Sequence, residues 1–202
     1  MSATKSEQAR VEQARARARD ADAHARARAQ REFDRPLVIE AGAGTGKTAV
    51  LTARVVAWSL GPGWLRLSEA RGQAGLEASP DAIARDVLGR IVAITFTEAA
   101  AAEMAVRIEA ALAGVESGAC EPWLDEAALP PAELRKMRAR ALREALDHLT
   151  VRTIHAWCRS LLARFPIAAG LHPGFVVDAT GRAQAEALQH VLERQLRVDY
   201  AE

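Results

Sequence analysis

The chain has 202 residues, with 27 Lys and Arg against 26 Asp and Glu, which gives a formal net charge of +1. This balance excludes nucleic-acid binding through a generally basic surface, and 50% hydrophobic residues exclude an intrinsically disordered chain. Cys120 and Cys158 are too few for a disulfide framework, which predicts a reducing, cytoplasmic location. No secretory signal is visible at the start, and no apolar run approaches the roughly 18 residues of a membrane span, so no membrane association is predicted.

The first half of the chain predicts one strand and three helices. Residues 1–34 are rich in Ala and Arg and favour a helix, but they carry almost no large aliphatic side chain, so this arm is expected to lie in solvent. A nucleic-acid contact is the alternative, although acidic residues of the arm dilute its positive charge. The apolar run 36–40 predicts a buried parallel strand, and a helix is predicted over 47–60 after a Gly-rich turn. The stretch 61–80 contains Gly and Pro and is predicted to be a surface loop, followed by a short helix over 81–88.

The middle of the chain continues the alternation of strand and helix. A buried strand is predicted over 91–95, and Thr97 is a suitable N-cap for the helix that follows. Met104, Ile108 and Leu112 lie four residues apart in that helix. This spacing puts the three side chains on one face, which we expect to be buried.

The last third predicts one more strand between helices. A loop is expected over 114–130, and a helix begins after it at Pro131. The spacing of Leu134, Met137, Ala141 and Ala145 gives this helix its periodicity. A third strand is predicted over 149–154, and further helices over 155–165 and 181–198. Strands that alternate with helices predict an α/β layered fold with a mostly parallel sheet.

The turn after the first predicted strand matches a phosphate-binding P-loop, Ala41-Gly42-Ala43-Gly44-Thr45-Gly46-Lys47-Thr48, although the usual pattern begins with Gly where this chain has Ala41. The glycines leave room for backbone N–H groups to converge on phosphates, at the positive end of the next helix. Lys47 is predicted to reach the β- and γ-phosphates of ATP, and Thr48 to bind the bridging Mg²⁺, as the chain's catalytic pair. The alternative is a Gly-rich turn that fits the pattern by chance.

Three segments, in this order, resemble motifs I, Ia and Ib of UvrD/Rep-type superfamily-one DNA helicases, with the strongest likeness to the RecB/AddA branch: PLVIEAGAGTGKT, IVAITFTEAAAAEM and VRTIHAWCRSLL. The resemblance covers about residues 22–178. It implies a P-loop NTPase with a RecA-like parallel sheet flanked by helices, ATP and Mg²⁺ as cofactors, and as partners single-stranded DNA and the other chain of a helicase–nuclease. Intact members of the family couple ATP hydrolysis to movement along single-stranded DNA, usually 3′ to 5′, in recombination and double-strand-break repair.

The resemblance also implies a division of the chain. Residues 1–34 become an N-terminal helical arm, 35–165 the first half of the first RecA-like domain, and 166–202 the start of a helical insertion. Hydrolysis in the family needs an Asp-Glu pair and a second RecA-like domain, and we identify neither of them, nor a nuclease domain. Asp178 ends an apolar run but is followed by Ala179, so we reject it as the catalytic acid. We therefore expect the chain alone not to unwind DNA.

The resemblance assigns DNA contacts to five residues: Thr95, Phe96, Thr97, Thr153 and His155. It implies that the threonines and the histidine hydrogen-bond to backbone phosphates, while Phe96 stacks on a base without selecting sequence. Two alternatives stay open. Phe96 could pack in the core, and His155 could cap or orient the helix that follows its strand.

The segment from Asp22 to Arg26 is similar to a D-x-x-A-R variant of the adenine-recognition motif in some AddA-like sequences, which implies that Arg26 lies near adenine. A solvated arginine is the alternative. Gln30 is too close to Lys47 in sequence to be the glutamine that reads adenine in other members of the family.

Three alternatives to a helicase are a zinc-binding protein, a small P-loop kinase and a nucleotide-dependent interaction module. His155 and Cys158, with His148 nearby, lack the paired spacing and the fourth ligand of a zinc site. A small P-loop kinase would need an acceptor-binding site and a basic lid, and nothing in the sequence resembles them. A nucleotide-dependent interaction module would share the P-loop but would bind no single-stranded DNA.

Overall fold

The structure is a computed structural model that describes residues 2–42, 44–177 and 182–199. The chain forms two compact units, Met1–Thr153 and Ile154–Glu202. The division thus falls at the end of the last strand, ahead of the boundary that the resemblance implies after residue 165. In the described part of the chain, no helix is long and apolar enough to span a membrane.

The described elements are predominantly helical. Those of the first unit, in chain order, are α1 (Ser2–Arg31), α2 (Lys47–Leu60), α3 (Pro62–Gln73), α4 (Pro80–Gly89), β1 (Val92–Thr95), α5 (Glu98–Ser117), α6 (Ala132–Glu144) and β2 (Thr150–Thr153). Short 3₁₀ turns lie at Glu126–Ala128 and Leu146–His148. The second unit contains α7 (Ile154–Arg164), a 3₁₀ turn (Ile167–Ala169) and α8 (Arg182–Asp199). Most predicted helices are therefore confirmed, and α2 has the predicted bounds.

A small parallel sheet joins the two later predicted strands. β1 and β2 pair in parallel, with Val92 opposite Thr150 and Thr95 opposite Thr153. Parallel neighbours need a long crossover connection, and here the chain between them includes α5 and α6. Because both strands run in the same direction, their carboxyl ends meet at one edge of the sheet. This edge carries the predicted DNA-contact threonines.

The prediction of a strand over residues 36–40 is wrong. These residues have irregular backbone, Val38 is 88% exposed, and the sheet in the described part of the chain consists of β1 and β2 alone. An apolar run becomes a strand only when a neighbour shares its backbone hydrogen bonds, and among the described residues no strand lies beside this run. The observed fold is therefore mostly helical with a two-stranded parallel sheet, where the sequence predicted three strands.

The prediction of a surface loop over 61–80 is also wrong for most of its length. Pro62 occupies the first turn of α3, where its missing N–H group is not required, so the Gly-Pro-Gly sequence begins a helix directly after ending one. Trp64 and Leu67, three residues apart, are both buried. Their spacing was the helical signal in this stretch.

The buried face of α6 includes only two of the four apolar residues whose spacing predicts the helix. Leu134 and Met137 are 44% and 40% exposed, whereas Ala141 and Ala145 are buried. Arg138 takes a buried position on this face, because its guanidinium donates from Nη1 to the carbonyl of Leu60 at 2.5 Å. The same guanidinium lies 5.4 Å from the centre of the Trp64 ring.

The core of the first unit lies among helices α2 to α6. Its largest fully buried apolar side chains are Leu60, Leu88, Ile108, Leu112 and Leu142. Met104, Ile108 and Leu112 are all buried, which confirms the predicted face of α5. Thr97 caps that helix as predicted, since its hydroxyl oxygen accepts a hydrogen bond from the backbone N–H of Ala100 at 3.1 Å. The core thereby fixes the end of β1 from which the predicted DNA contacts project.

Two glycines of α3 allow a stability test of the packing between α2 and α3. A Cβ on Gly63 would lie 2.7 Å from the Trp58 ring, whereas one on Gly72 would meet no described atom within 4 Å. We expect Gly63→Ala to lower the free energy of unfolding by about 1–3 kcal/mol because of this overpacking. Gly72→Ala should raise it by up to about 1 kcal/mol, because alanine is the better helix former. Denaturant unfolding followed by circular dichroism measures both, and equal stability of the two variants would contradict the packing described.

Candidate functional site

The P-loop connects the irregular segment 36–40 to the first turn of α2. Gly44 and Gly46 have φ angles of +74° and +82°, in the left-handed region that glycine adopts without a steric penalty. Gly46 is the N-cap residue of α2, and its carbonyl accepts a hydrogen bond from the N–H of Val50 at 3.0 Å. Ala43 lies outside the described residues. The N-terminus of α2, which is the positive end of the helix dipole, therefore lies directly at the loop.

Lys47, the first residue of α2, folds back onto the loop. Its ammonium Nζ donates to the carbonyl oxygens of Ala41 at 2.8 Å and Gly42 at 2.9 Å. The hydroxyl of Thr45 donates to the same Gly42 carbonyl at 2.8 Å. The lysine charge is thus held at the loop, where a phosphate group approaching the N-terminus of α2 would meet it.

Arg26 reaches the P-loop from α1. Its Nη2 donates to the carbonyl oxygen of Thr45 at 2.7 Å, and its Nε donates to the carboxylate of Asp22 at 2.8 Å. The structure thus brings Arg26 to the backbone of the P-loop, whereas the proximity to adenine that the D-x-x-A-R pattern implies stays a prediction. A solvated arginine without a protein contact is excluded.

A buried glutamine attaches α1 near Arg26. Gln30 is 3% exposed. Its Nε2 donates to the carbonyl of Trp123 at 3.0 Å, and its Oε1 accepts from the N–H of Asp125 at 2.8 Å. These two hydrogen bonds therefore join α1 to the loop that precedes the 3₁₀ turn at Glu126–Ala128. Sequence reasoning excluded Gln30 as an adenine contact but gave no signal for this structural role, since its partners lie more than 90 positions away.

A cluster of charged residues secures the C-terminal end of α1. Arg54 donates from Nη1 to the carbonyls of Ala29 at 2.6 Å and Glu32 at 2.8 Å, and burial lowers the pKa of its guanidinium. Hydrogen bonds from Arg28 and Arg35 to the Glu32 carboxylate lower the pKa of that group to about 2. Glu32 is therefore ionised throughout the neutral range.

The residues present fit a magnesium ion bound mainly through nucleotide phosphates. Thr48 is half-buried in the first turn of α2, adjacent to Lys47. Within residues 2–42, 44–177 and 182–199, no three His, Cys, Asp or Glu side chains group in a way that could hold a metal ion. Mg²⁺ keeps several waters and needs only one or two protein ligands when phosphates supply the rest. A single threonine hydroxyl at the phosphate site suits that requirement.

The end of β1 presents an aromatic side chain to solvent. Phe96 is 91% exposed, so the alternative in which it packs in the core is wrong. On either side of it, the Thr95 hydroxyl donates to the carbonyl of Thr97 at 3.0 Å, and Thr97 caps α5. An exposed ring is chemically able to stack on a base. The Thr97 hydroxyl only accepts in its cap and keeps its proton for a phosphate, whereas the Thr95 hydroxyl would have to exchange the Thr97 carbonyl for a phosphate oxygen.

The remaining predicted contacts have different surroundings. Thr153 is 6% exposed, and its hydroxyl donates to the Glu98 carboxylate at 3.0 Å. Glu98 is the first residue of α5, where a negative charge is favourable. His155 is exposed in the second unit. Asp178, which its sequence context rejects as a catalytic acid, lies outside the described residues.

Comparison with known proteins identifies the family. Residues 22–202 match the UvrD/REP helicase N-terminal domain. This chain belongs to the UvrD/REP helicase family. The match begins at Asp22, the partner of Arg26, and includes the P-loop, both strands and the whole second unit.

Relatives of this UvrD/REP chain are named as a subunit of an ATP-dependent helicase/nuclease. The protein so named from Desulforudis audaxviator is 33% identical over 168 residues, which is 82% of this chain and 11% of the relative. The one from Pelotomaculum thermopropionicum is 33% identical over 79% of this chain, and the one from Geobacillus thermodenitrificans is 29% identical over 82%. The chain spans about a tenth of the length of these relatives.

The Glu32 cluster predicts a measurable acid titration in this UvrD/REP chain. A lowered pKa means that the ion pairs stabilise the fold fully above the ordinary glutamate value of 4.5 and lose this effect as the pH falls towards about 2. We expect carboxyl NMR shifts to show Glu32 ionised at pH 3, and Arg28→Ala to raise its pKa. Arg19→Ala, an exposed arginine elsewhere on α1, is the control and should leave the titration unchanged. A Glu32 midpoint near 4.5 would contradict the described contacts.

Proposed function

We propose that this chain is the ATP-binding N-terminal part of an ATP-dependent DNA helicase of the RecB/AddA type, with 3′-to-5′ movement and a role in recombination or double-strand-break repair. The observation that carries the proposal is the P-loop geometry. Two left-handed glycines precede α2, and the Lys47 ammonium is held at the loop carbonyls 2.8–2.9 Å away. Family membership and the names of the relatives support the helicase assignment.

The proposed nucleotide site consists of Ala41 to Thr48 together with Arg26. Backbone N–H groups of the loop and the N-terminus of α2 bind the phosphates, and Lys47 neutralises charge on the β- and γ-phosphates. Thr48 holds Mg²⁺, which when bound supplies electrostatic stabilisation of the transferring phosphoryl group. Residues 35–165 then form the first half of a RecA-like domain, with β1 and β2 as part of its parallel sheet, and 166–202 begin a helical insertion.

The proposed DNA contacts of the first unit lie at the carboxyl ends of its two strands. Phe96 stacks on a base, and Thr95, Thr97 and Thr153 bind phosphates. His155 is proposed separately as a phosphate contact of the second unit. None of these groups reads the sequence of bases, which suits a motor that moves along any strand. The exposure of Phe96 supports the stacking role, and the burial of Thr153 makes it the least accessible member of the set.

Two further features of the intact protein belong to the proposal. The word "subunit" in the relatives' name supports a helicase–nuclease partner chain. The two free cysteines, Cys120 and Cys158, support a reducing cytoplasmic location.

Substitution of the P-loop lysine tests the nucleotide site. We expect Lys47→Ala to weaken binding of ATP with Mg²⁺ at least tenfold, because a charge-assisted contact to the phosphates is lost. Lys136→Ala, which removes an exposed lysine paired with Glu133 on α6, is the matched control and should bind as the wild type does. Calorimetry or displacement of a fluorescent ATP analogue measures the affinity. Equal binding by the two variants would contradict the proposed site.

Substitution of Phe96 tests the DNA contact. We expect Phe96→Ala to weaken binding of a poly-dT oligonucleotide about tenfold, from the loss of one base stack, and Phe96→Trp to retain it. The free energy of unfolding should not change, because the ring is 91% exposed. Phe165→Ala in the second unit is the control, with a ring that is 53% exposed. Fluorescence anisotropy at several salt concentrations measures binding. A wild-type chain that binds ATP but no oligonucleotide would contradict the helicase proposal and favour the nucleotide-dependent interaction module.

A further inference from the structure

We infer that Arg26 fixes the orientation of the Thr45–Gly46 peptide group, so that a residue of α1 positions a phosphate-binding N–H of the P-loop. This inference rests on the proposed ATP site and deepens it. Arg26 acts as a positioning residue for the loop and not as a contact to adenine. Three features support this role: the geometry of one peptide, the freedom of the glycine that follows it, and the fixation of the arginine.

The peptide geometry connects the arginine to the ligand side of the loop. A peptide group is planar and trans, so its C=O and N–H bonds point in opposite directions. The Thr45 carbonyl points at Arg26 Nη2, at a distance of 2.7 Å. The N–H of Gly46 therefore points away from the arginine. That N–H precedes Lys47 directly and is one of the donors available to a phosphate at the start of α2.

The Thr45–Gly46 peptide needs an external contact to keep this orientation. Gly46, whose N–H belongs to this peptide, has a φ angle of +82°. Because glycine adopts positive and negative φ with similar ease, rotation of a peptide beside it costs little. A flipped peptide would direct the Thr45 carbonyl, with its negative end, towards the phosphates. The hydrogen bond from the positively charged Arg26 opposes that rotation.

Arg26 is itself held in place. Its Nε donates to Asp22 at 2.8 Å, one turn earlier in α1, and its side chain is 34% exposed. Four residues later, the buried Gln30 fastens the helix to the backbone of Trp123 and Asp125. The guanidinium also lies directly against the loop, since a Cβ placed on Gly46 would be 3.5 Å from Arg26 Nη1. The guanidinium is therefore fixed in position, and its hydrogen bond to the Thr45 carbonyl sets the orientation of the Thr45–Gly46 peptide.

The two cations at the loop hold different carbonyls. Lys47 binds those of Ala41 and Gly42 at the beginning of the loop, and Arg26 binds that of Thr45 at its end. Lys47 is also expected to contact the phosphates themselves. Arg26 is engaged by Asp22 and Thr45, so its effect on the ligand passes through the loop backbone.

The test separates a positioning role from contact with adenine. Displacement of a fluorescent ATP analogue is measured with ATP–Mg²⁺ and with inorganic tripolyphosphate, which has no base. We expect Arg26→Ala to weaken both ligands about tenfold, and Arg26→Lys to recover part of the loss because an ammonium donates to the Thr45 carbonyl. Arg19→Ala on the exposed part of α1 should leave both affinities unchanged. If Arg26→Ala weakens ATP while tripolyphosphate binds as before, Arg26 contacts the base and the inference is overturned.

A second variant and a second measurement distinguish the proposed positioning role from a loss of folding in Arg26→Ala. Asp22→Asn keeps the guanidinium but weakens its anchor, and we expect a smaller loss of affinity for both ligands. The amide signal of Gly46 in a ¹H–¹⁵N spectrum of the free protein should shift in both variants and stay in place in Arg19→Ala. An unshifted Gly46 signal, or unchanged affinities in Arg26→Ala beside a binding wild type, would overturn the inference. A wild type that binds neither ligand would remove the proposed ATP site, and the inference with it.

Discussion

The attachment of α1 to the rest of the first unit depends on partly buried hydrogen bonds more than on apolar packing. Among the residues of this helix whose burial the structure describes, only Ala29 and Gln30 are buried. The Gln30 side-chain amide hydrogen-bonds to the backbone of Trp123 and Asp125. The Arg54 guanidinium donates to the carbonyl of Ala29 near the end of the helix. A buried amide left without partners costs about 1–3 kcal/mol, so these bonds define one position of the helix. The place of Arg26 at the P-loop follows from that position.

The elements that sequence analysis predicted correctly are those with local causes. The bounds of α2 follow from the Gly-Lys start and the Gly61 stop, and the capped start of α5 follows from Thr97. The buried face of α5 follows from a spacing of four residues. The P-loop is similarly local, because its glycines and Lys47 are contiguous in the chain. Strands β1 and β2 were predicted as apolar, β-branched runs, and the sheet pairs them.

The errors came from features that depend on distant partners. Residues 36–40 have the composition of a strand, but a strand exists only with a neighbour along its edge. The burial of Arg138 on α6 could not be predicted, because its carbonyl partner on Leu60 lies 78 positions earlier. For α3 the error was different, since Gly and Pro in the stretch 61–80 indicate a loop, although proline also begins helices. In the candidate site, motif comparison indicated Arg26, but only the structure gave its partner on Thr45.

The position of Lys47 has a consequence for the entropy of the phosphate binding that we propose. A free lysine side chain samples many rotamers, and fixing it costs about 2 kcal/mol. Here the ammonium is already held by the carbonyls of Ala41 and Gly42. Most of this side-chain entropy is therefore lost when the chain folds and not when a phosphate binds. A loop that binds its own lysine in this way is preorganised for the phosphate binding that we propose.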